Sequence, residues 1–410
     1  MFKNNGGRAA VALGISLGFA AALAGPARAD LPGYAVFGGA GVSFGASATI
    51  IGGDLATNGS LVTGAFSTFT GAVSGGGSLS YLSTGGSSTF GGPVTFNGDT
   101  SFGSFNTFNG PVNSGGNATF ASSATINANV TAAGSITTSF ATVNGNLTAG
   151  QDVSLTTSFD KMTGNIRASH NVTVNGPLTG KVVYGNTLTV GPFGSISGPT
   201  AVGGGPVVPA TYAPLTAPSH PFTAGGPAVT AGGSLAAPLA PGSYGALNIP
   251  WPNDLYLTAG DYYFTTFTLP GGENIHLENL TPSSHINIFV TGDVTLGSII
   301  FMKVNEQDFA SAPASLSANV LLETHGNYTQ NSLGDNQFFG TILAPQGNVT
   351  IGQYSSVTGS VLTNGTANIS VGFTDTYVPS TIAAPEPASV AILTLAPLGL
   401  LPRRRRAAKL

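Results

Sequence analysis

The residues best able to do chemistry in this chain are its carboxylates, and they are scattered. Asp54, Asp99, Asp152, Asp160, Asp293 and Asp335 lie far apart in sequence. Glycosidic cleavage takes two carboxyl groups at a set separation. The nearest Glu pair, Glu273 and Glu278, sits five residues apart in an expected loop and does not read as a catalytic pair. Cleaving an anionic polysaccharide also needs bases to hold it, and only Lys161, Arg167, Lys181 and Lys303 lie between residues 30 and 386. The histidines are His170, His220, His276, His285 and His325; none has a partner at metal-ligand spacing, so no metal site is expected. There is no cysteine, hence no disulfide or thiolate site. Neither a Gly-x-Ser-x-Gly elbow ahead of a helix nor a tandem Gly-Gly-x-Gly-x-Asp calcium repeat is present. Trp251, between Pro250 and Pro252, reads as a packing plug rather than a sugar platform. The expectation is a protein without catalysis or cofactor. A polysaccharide-processing solenoid enzyme stays as a third reading, because solenoid active sites assemble from residues distant in sequence.

What positions these residues is a repeat. An apolar residue is followed by another four later and a third six after that: Ile51-Leu55-Leu61, Phe69-Val73-Leu79, Phe90-Val94-Thr100, Phe108-Val112-Ala118, Ile126-Val130-Ile136, Val143-Leu147-Val153, Met162-Ile166-Val172 and Leu178-Val182-Leu188. Gly follows two after each first position, with Ala128 the one departure. The steps between units are 18, 21, 18, 18, 17, 19 and 16 residues, with the variable length falling between Leu61-type and Phe69-type positions. A fixed register with variable gaps is the signature of a β-solenoid, in which each unit buries its apolar residues against the next. Composition agrees: 60 glycines in 410 residues and only 7% charged residues favour strands and tight turns over helices.

The repeat also fixes what faces outward. Thr68, Thr89, Thr107, Thr125 and Thr142 directly precede the first apolar residue of successive units, and Asn109, Asn127 and Asn144 directly follow it in the last three. Neighbours of an inward strand residue point outward. A Thr column is therefore expected beside a column ending in Asn, ~6.7 Å away, with ~4.8 Å between coils. Regular outward Thr arrays resemble ice-binding surfaces, although Thr and Asn ladders also stabilise sheets without any ligand.

After Val190 the period fades, and residues 191–250 are rich in Pro and Gly, predicting an extended linker or a loop packed along the rod. The register returns at Val290-Val294-Ile300 and Val357-Val361-Ala367. Between them Gly340-Thr341-Ile342-Leu343-Ala344-Pro345 leads through Gly347-Asn348-Val349. This stretch resembles exported bacterial β-solenoid domains of the choice-of-anchor A and ice-binding types. The resemblance implies a right-handed β-helix and offers no catalytic residues.

The ends carry an address. Lys3 and Arg8, an apolar stretch and Ala27-Arg28-Ala29 form a secretory signal with cleavage expected after Ala29. Pro385-Glu386-Pro387, an apolar run from Ala388 to Leu401 and Arg403, Arg404, Arg405 and Arg406 follow at the other end. Those residues resemble the PEP-CTERM sorting tail of Gram-negative bacteria, which implies processing by an exosortase. The run is 14 residues, ~21 Å as a helix against a hydrocarbon core of roughly 30 Å, and reads as a transient membrane anchor held by the positive-inside rule. Between the two ends four bases face fifteen acids, a net of −11, which excludes nucleic acid as a partner.

The full expectation is all-β: a right-handed β-solenoid with short terminal targeting helices. Its parts are a signal peptide (1–29), a first solenoid (30–190), a Pro/Gly-rich linker (191–250), a second solenoid-like domain (251–378) and a sorting tail (379–410). The expected function is an exported, exosortase-processed structural or adhesive protein of the cell surface or extracellular matrix. The alternative is binding of ice or a crystalline surface, extracellular polysaccharide included, through the Thr/Asn ladder.

Overall fold

A computed structural model describes residues 33–78, 80–331 and 336–380; the signal and the sorting tail lie outside them. The described chain is a parallel β-solenoid, and its one helix is a 3-10 segment at Ala314–Asn319. Each coil of the first half has three short strands. Face I holds strands such as Asp54–Thr57, Val94–Phe96 and Val112–Ser114. Face II holds Ser60–Thr63, Thr100–Phe102 and Ala118–Phe120, and face III holds Thr68–Phe69, Thr107–Phe108 and Thr125–Ile126. Like stacks on like: Val73 pairs Val94, Val94 pairs Val112, and Phe69 pairs Phe90. The inward residues form one continuous core. Inside it the Phe90 and Phe108 rings stack at 5.1 Å and Phe102 and Phe120 at 4.9 Å. Truncating one such ring to Ala costs about 3–5 kcal/mol.

The register differs from expectation at three points. Ile50, not Ile51, pairs with Phe69 and points inward, leaving Ile51 45% exposed. Leu82 takes the third position of the second unit, pairing with Leu61 and Thr100; Leu79 lies outside the described residues. The longest step is thus an insertion at the corner between faces I and II. Val294 has the expected spacing from Val290 but belongs to face II, where it pairs with Tyr328. The repeated Gly is explained by crowding: a Cβ on Gly71 would lie 2.0 Å from the Gly53 carbonyl oxygen, and one on Gly110 2.3 Å from that of Gly92.

The order of coils in space is not their order in sequence. The strand Tyr34–Gly38 pairs with Asp54–Thr57 on one side and with Ser356–Thr363 on the other. Coils therefore wind outward from the middle as far as Thr200–Val202, past the expected boundary at residue 190. The chain then crosses to the opposite end, re-enters at Gly242–Ser243 and winds back to the middle. Face II becomes a single 15-stranded sheet through both halves. Faces I and III join into one sheet because Ser356–Thr363 pairs with Thr374–Tyr377 through its first half and with Tyr34–Gly38 through its second.

Residues 203–225 are the return strap, laid along the outside of face I. Three of its clamps are coil-corner asparagines, each of which gives and takes one hydrogen bond as a peptide group would. Asn97 accepts from Tyr212 N–H (3.0 Å) and donates to the Tyr212 carbonyl (2.9 Å). Asn58 does the same with Leu215 (2.8 and 2.6 Å), and Asn364 with Ala217 (2.6 and 3.1 Å). Three residues in polyproline geometry rise ~9.3 Å. That matches the ~9.6 Å of two coil steps separating Asn97 from Asn58. Under the strap lies a second apolar cluster of Phe37, Ala56, Phe289, Leu321, Leu343 and Leu362 with Ala217, flanked by Leu215 and Phe222. Face I strands of the second half are thus buried on both sides, which is why they read as nearly continuous apolar runs.

Asp375 is anomalous: it pairs between Val357 and Ile50, points into the core, is fully buried and, among the described residues, has no hydrogen-bond partner on either carboxylate oxygen. Burial pushes its carboxyl well above the ordinary value of 3.8. The folded state therefore keeps a proton that the unfolded chain releases. The contribution of Asp375 to stability is greatest below 3.8 and falls by roughly 1.4 kcal/mol per pH unit as pH rises toward its folded-state pKa. Asp375→Leu is expected to raise the melting temperature, more at pH 7 than at pH 4; an equal change at both would show the carboxyl titrates normally. For the strap, Asn58→Ala with Asn97→Ala is expected to leave backbone groups unpaired, costing roughly 1–3 kcal/mol each. Limited proteolysis is then expected to cut within residues 205–217 of the variant and to spare them in the parent.

Candidate binding faces and a carboxylate–histidine cluster

The parallel ladder places the expected Thr column as read. Thr49, Thr68, Thr89, Thr107, Thr125 and Thr142 are directly paired in sequence along face III, and Thr374 extends the column beyond Thr49. It ends at Lys161. The neighbouring column is less regular, running through exposed Ile51, Thr70 and Gly91 to Asn109, Asn127 and Asn144. Its amides are engaged with one another: Asn127 donates to Asn109 and Asn144 donates to Asn127, each at 3.0 Å. Thr70 accepts from the Gly52 N–H at 2.8 Å. Much of this column's hydrogen-bonding capacity is spent on joining coils.

Face II carries a longer array. The outward residue of each of its fifteen strands is, in spatial order, Asn248, Thr268, Thr295, Thr329, Thr350, Asn368, Ser43, Val62, Ser83, Ser101, Thr119, Thr137, Ser154, Thr173 and Thr189. Only Val62 lacks a hydroxyl or amide, and no member is charged. At ~4.8 Å per step the column is roughly 67 Å long. Half its signal was present in the repeat, as the residue right after the third apolar position. The join at Asn368–Ser43 links the two ends of the described chain, which no local pattern reveals.

Between faces II and III runs a ridge that the register did not disclose. Phe66, Phe105 and Phe140 occupy left-handed turns with φ of 62°, 63° and 54°, and are 65%, 62% and 44% exposed. Phe140 stacks on Phe159 at 5.3 Å. Trp251 is also out of the core: it is 69% exposed against Gly272, so it is not the expected plug.

Four of the dispersed aspartates serve turns, and Asp335 lies outside the described residues. Asp54, Asp99, Asp152 and Asp293 each accept a backbone N–H from the adjacent coil, at 2.6–2.9 Å. Asp160 is buried and bonds Thr138, Ala141 and Thr157. Glu273 accepts from Gly271 N–H at 2.7 Å, whereas Glu278 belongs to a different group. Two histidine clusters emerge that sequence spacing did not show. On the strap, His220 contacts buried Glu323 of face I through Nδ1 and donates its backbone N–H to Glu323 Oε1 at 2.9 Å. His325 Nε2 donates to the His220 carbonyl at 3.0 Å, and its ring lies 4.2 Å from Phe222. This latch fixes the strap on face I.

The other cluster sits on a four-stranded sheet formed by Leu255–Thr258, Asn274–Glu278, Phe301–Val304 and Gln307–Asp308. Ile275 and Leu277 face the core; His276 and Glu278 project from the other side yet are only 3% and 7% exposed. The His276 ring stacks on Tyr256 at 4.0 Å. Its Nε2 is 3.1 Å from Asp254 Oδ2, and its Nδ1 is 2.9 Å from Glu306 Oε1 and 4.0 Å from Glu278 Oε1. Burial, with Glu306 beside it, raises the Glu278 carboxyl. Glu306 is held low, first by its hydrogen bond to His276. Burial pulls Asp254 upward, but hydrogen bonds from Asn274 and His276 outweigh it and the net shift is downward. The expectation that no histidine has ligand-spaced partners fails here. His276 and Glu278 share a face at strand period two, and coil stacking delivers Glu306 from 30 residues on.

No family model and no curated protein matches the chain. Among solved structures, it is similar to the crystal structure of an ice binding protein from an Antarctic bacterium Flavobacteriaceae. The two are 16% identical over 85% of this chain and 98% of that chain, with a TM-score of 0.23. An overlap that low says nothing about what this chain binds.

Proposed function

We propose that the protein is a non-catalytic rod that binds a repeating, uncharged surface, ice in the first instance, through face II. The observation that carries this is the fifteen-rung outward column, hydroxyl or amide at every rung but Val62 and free of charge throughout. Its spacing is set by backbone pairing, so the polar groups are pre-ordered and lose little entropy on meeting a lattice of ordered water. Face III is the weaker candidate, because Ile51 and Gly91 interrupt one column and its Asn amides bond each other. Thr119→Tyr with Thr137→Tyr is expected to cut thermal hysteresis and ice-recrystallisation inhibition at least about tenfold, the loss of roughly 1.4 kcal/mol of contact. Thr107→Tyr with Thr125→Tyr is expected to leave most activity. A parent protein that neither affects ice nor sediments with crystalline polysaccharide would overturn the reading.

A second reading, a structural or adhesive part of the extracellular matrix, is favoured by Pro385-Glu386-Pro387 and Arg403 to Arg406, which resemble a sorting tail. Both readings place the protein outside the inner membrane after export, with an exosortase as processing partner and the apolar run inserted only in transit. Mass spectrometry of protein recovered from its own cells is expected to show Asp30 at the amino end and loss of the chain beyond the Pro-Glu-Pro site. A full-length mass would remove the export argument.

A further inference from the structure

The His276 cluster asks for a cation. Three side chains, His276, Glu278 and Glu306, bring one donor atom each to within 4.8 Å of one another. Asp254 Oδ2 is placed to take the Nε2–H of His276 at 3.1 Å, which turns the lone pair of Nδ1 toward the two glutamates. Glu278 is 7% exposed, and its Oε1, the atom nearest Nδ1, has no hydrogen-bond partner among the described residues. A buried carboxylate oxygen without a donor is costly. Lys303, paired with His276 across the strands, is the base close by, so three carboxylates outnumber it. A Zn²⁺ ion with bonds of ~2.0–2.2 Å holds tetrahedral donors roughly 3.3 Å apart. That lies between the 2.9 and 4.0 Å separating Nδ1 from the two glutamate oxygens.

We propose that His276 Nδ1, Glu278 and Glu306 form a binding site for a divalent transition-metal ion, of the Zn²⁺ class, with Asp254 as the carboxylate that orients the histidine. One nitrogen and two carboxylate oxygens suit Zn²⁺ better than the all-oxygen shells that Ca²⁺ and Mg²⁺ take. Glu306 is 45% exposed in its side chain, which opens the fourth position to water. Carboxylate–imidazole–metal relays of this kind hold the ring and its tautomer in place. The ion would tie the turn at Asn305 and Glu306 to the strand Asn274–Glu278, closing the outer side of this sheet where no strap covers it.

The test uses the full chain after chelator treatment, titrated with Co²⁺ and then with Zn²⁺. The expected result is one Co²⁺ per chain with the intense visible absorption of a four- or five-coordinate ion, displaced by one equivalent of Zn²⁺, and a rise in melting temperature on metal addition. Glu306→Gln and Glu278→Gln should abolish the absorption. Asp254→Asn, which touches no metal, should keep the spectrum and weaken affinity about 10–100-fold. Glu306→Gln involves an exposed side chain and tests the ligand role without endangering the fold. Absence of stoichiometric binding, with His276 found as a doubly protonated imidazolium by ¹⁵N NMR, would overturn the proposal and leave an ion pair. Unchanged binding in the Glu306 and Glu278 variants would equally overturn it.

Discussion

Everything in this molecule depends on parallel backbone pairing held in register from coil to coil. At ~4.8 Å per step it turns each position of the repeat into a column. Inward positions become a stack of Val, Leu, Ile and Phe, and outward positions become lines of hydroxyl and amide groups. The same constraint explains the crowded corners, where carbonyl oxygens of one coil leave no room for a side chain on the next. It also explains the aspartates and asparagines at the turns, whose side chains repeat the ladder where the backbone bends away.

The solenoid itself was legible because apolar periodicity reports burial directly, and strand columns such as Phe69–Phe90–Phe108 follow from it. The pattern is ambiguous where two neighbours are both apolar, as at Ile50 and Ile51, or where an insertion shifts the register, as before Leu82. The strap could be read as extended from its prolines. Its path could not, since the asparagines that hold it, Asn58, Asn97 and Asn364, look like any other turn residues.

Site legibility divides along the same line. The Thr column of face III rests on local alternation and emerged from the sequence. Face II needs the contact between Asn368 and Ser43, and the cluster of His276 with Asp254 and Glu306 needs three successive coils to be stacked. Buried polar groups, Asp375 in the interior and Glu278 on the outer side of its sheet, break the apolar pattern expected of buried positions. They carry the most information about chemistry for that reason, and a pattern search for apolar residues passes over them.

One feature of the winding has a mechanical outcome. Gly33 and Tyr377 lie side by side at the waist of the rod, because the first and last coils are stacked neighbours. A tether leaving from either residue would hold the rod by its middle, as a crossbar on a post, with both tips free to sweep. Tension applied between the two would load the seam where Tyr34–Gly38 meets Ser356–Thr363 and Thr49–Ile51 meets Thr374–Tyr377. The two arms would part there like a split beam, each keeping its own stack of coils, with the strap left as the leash between them.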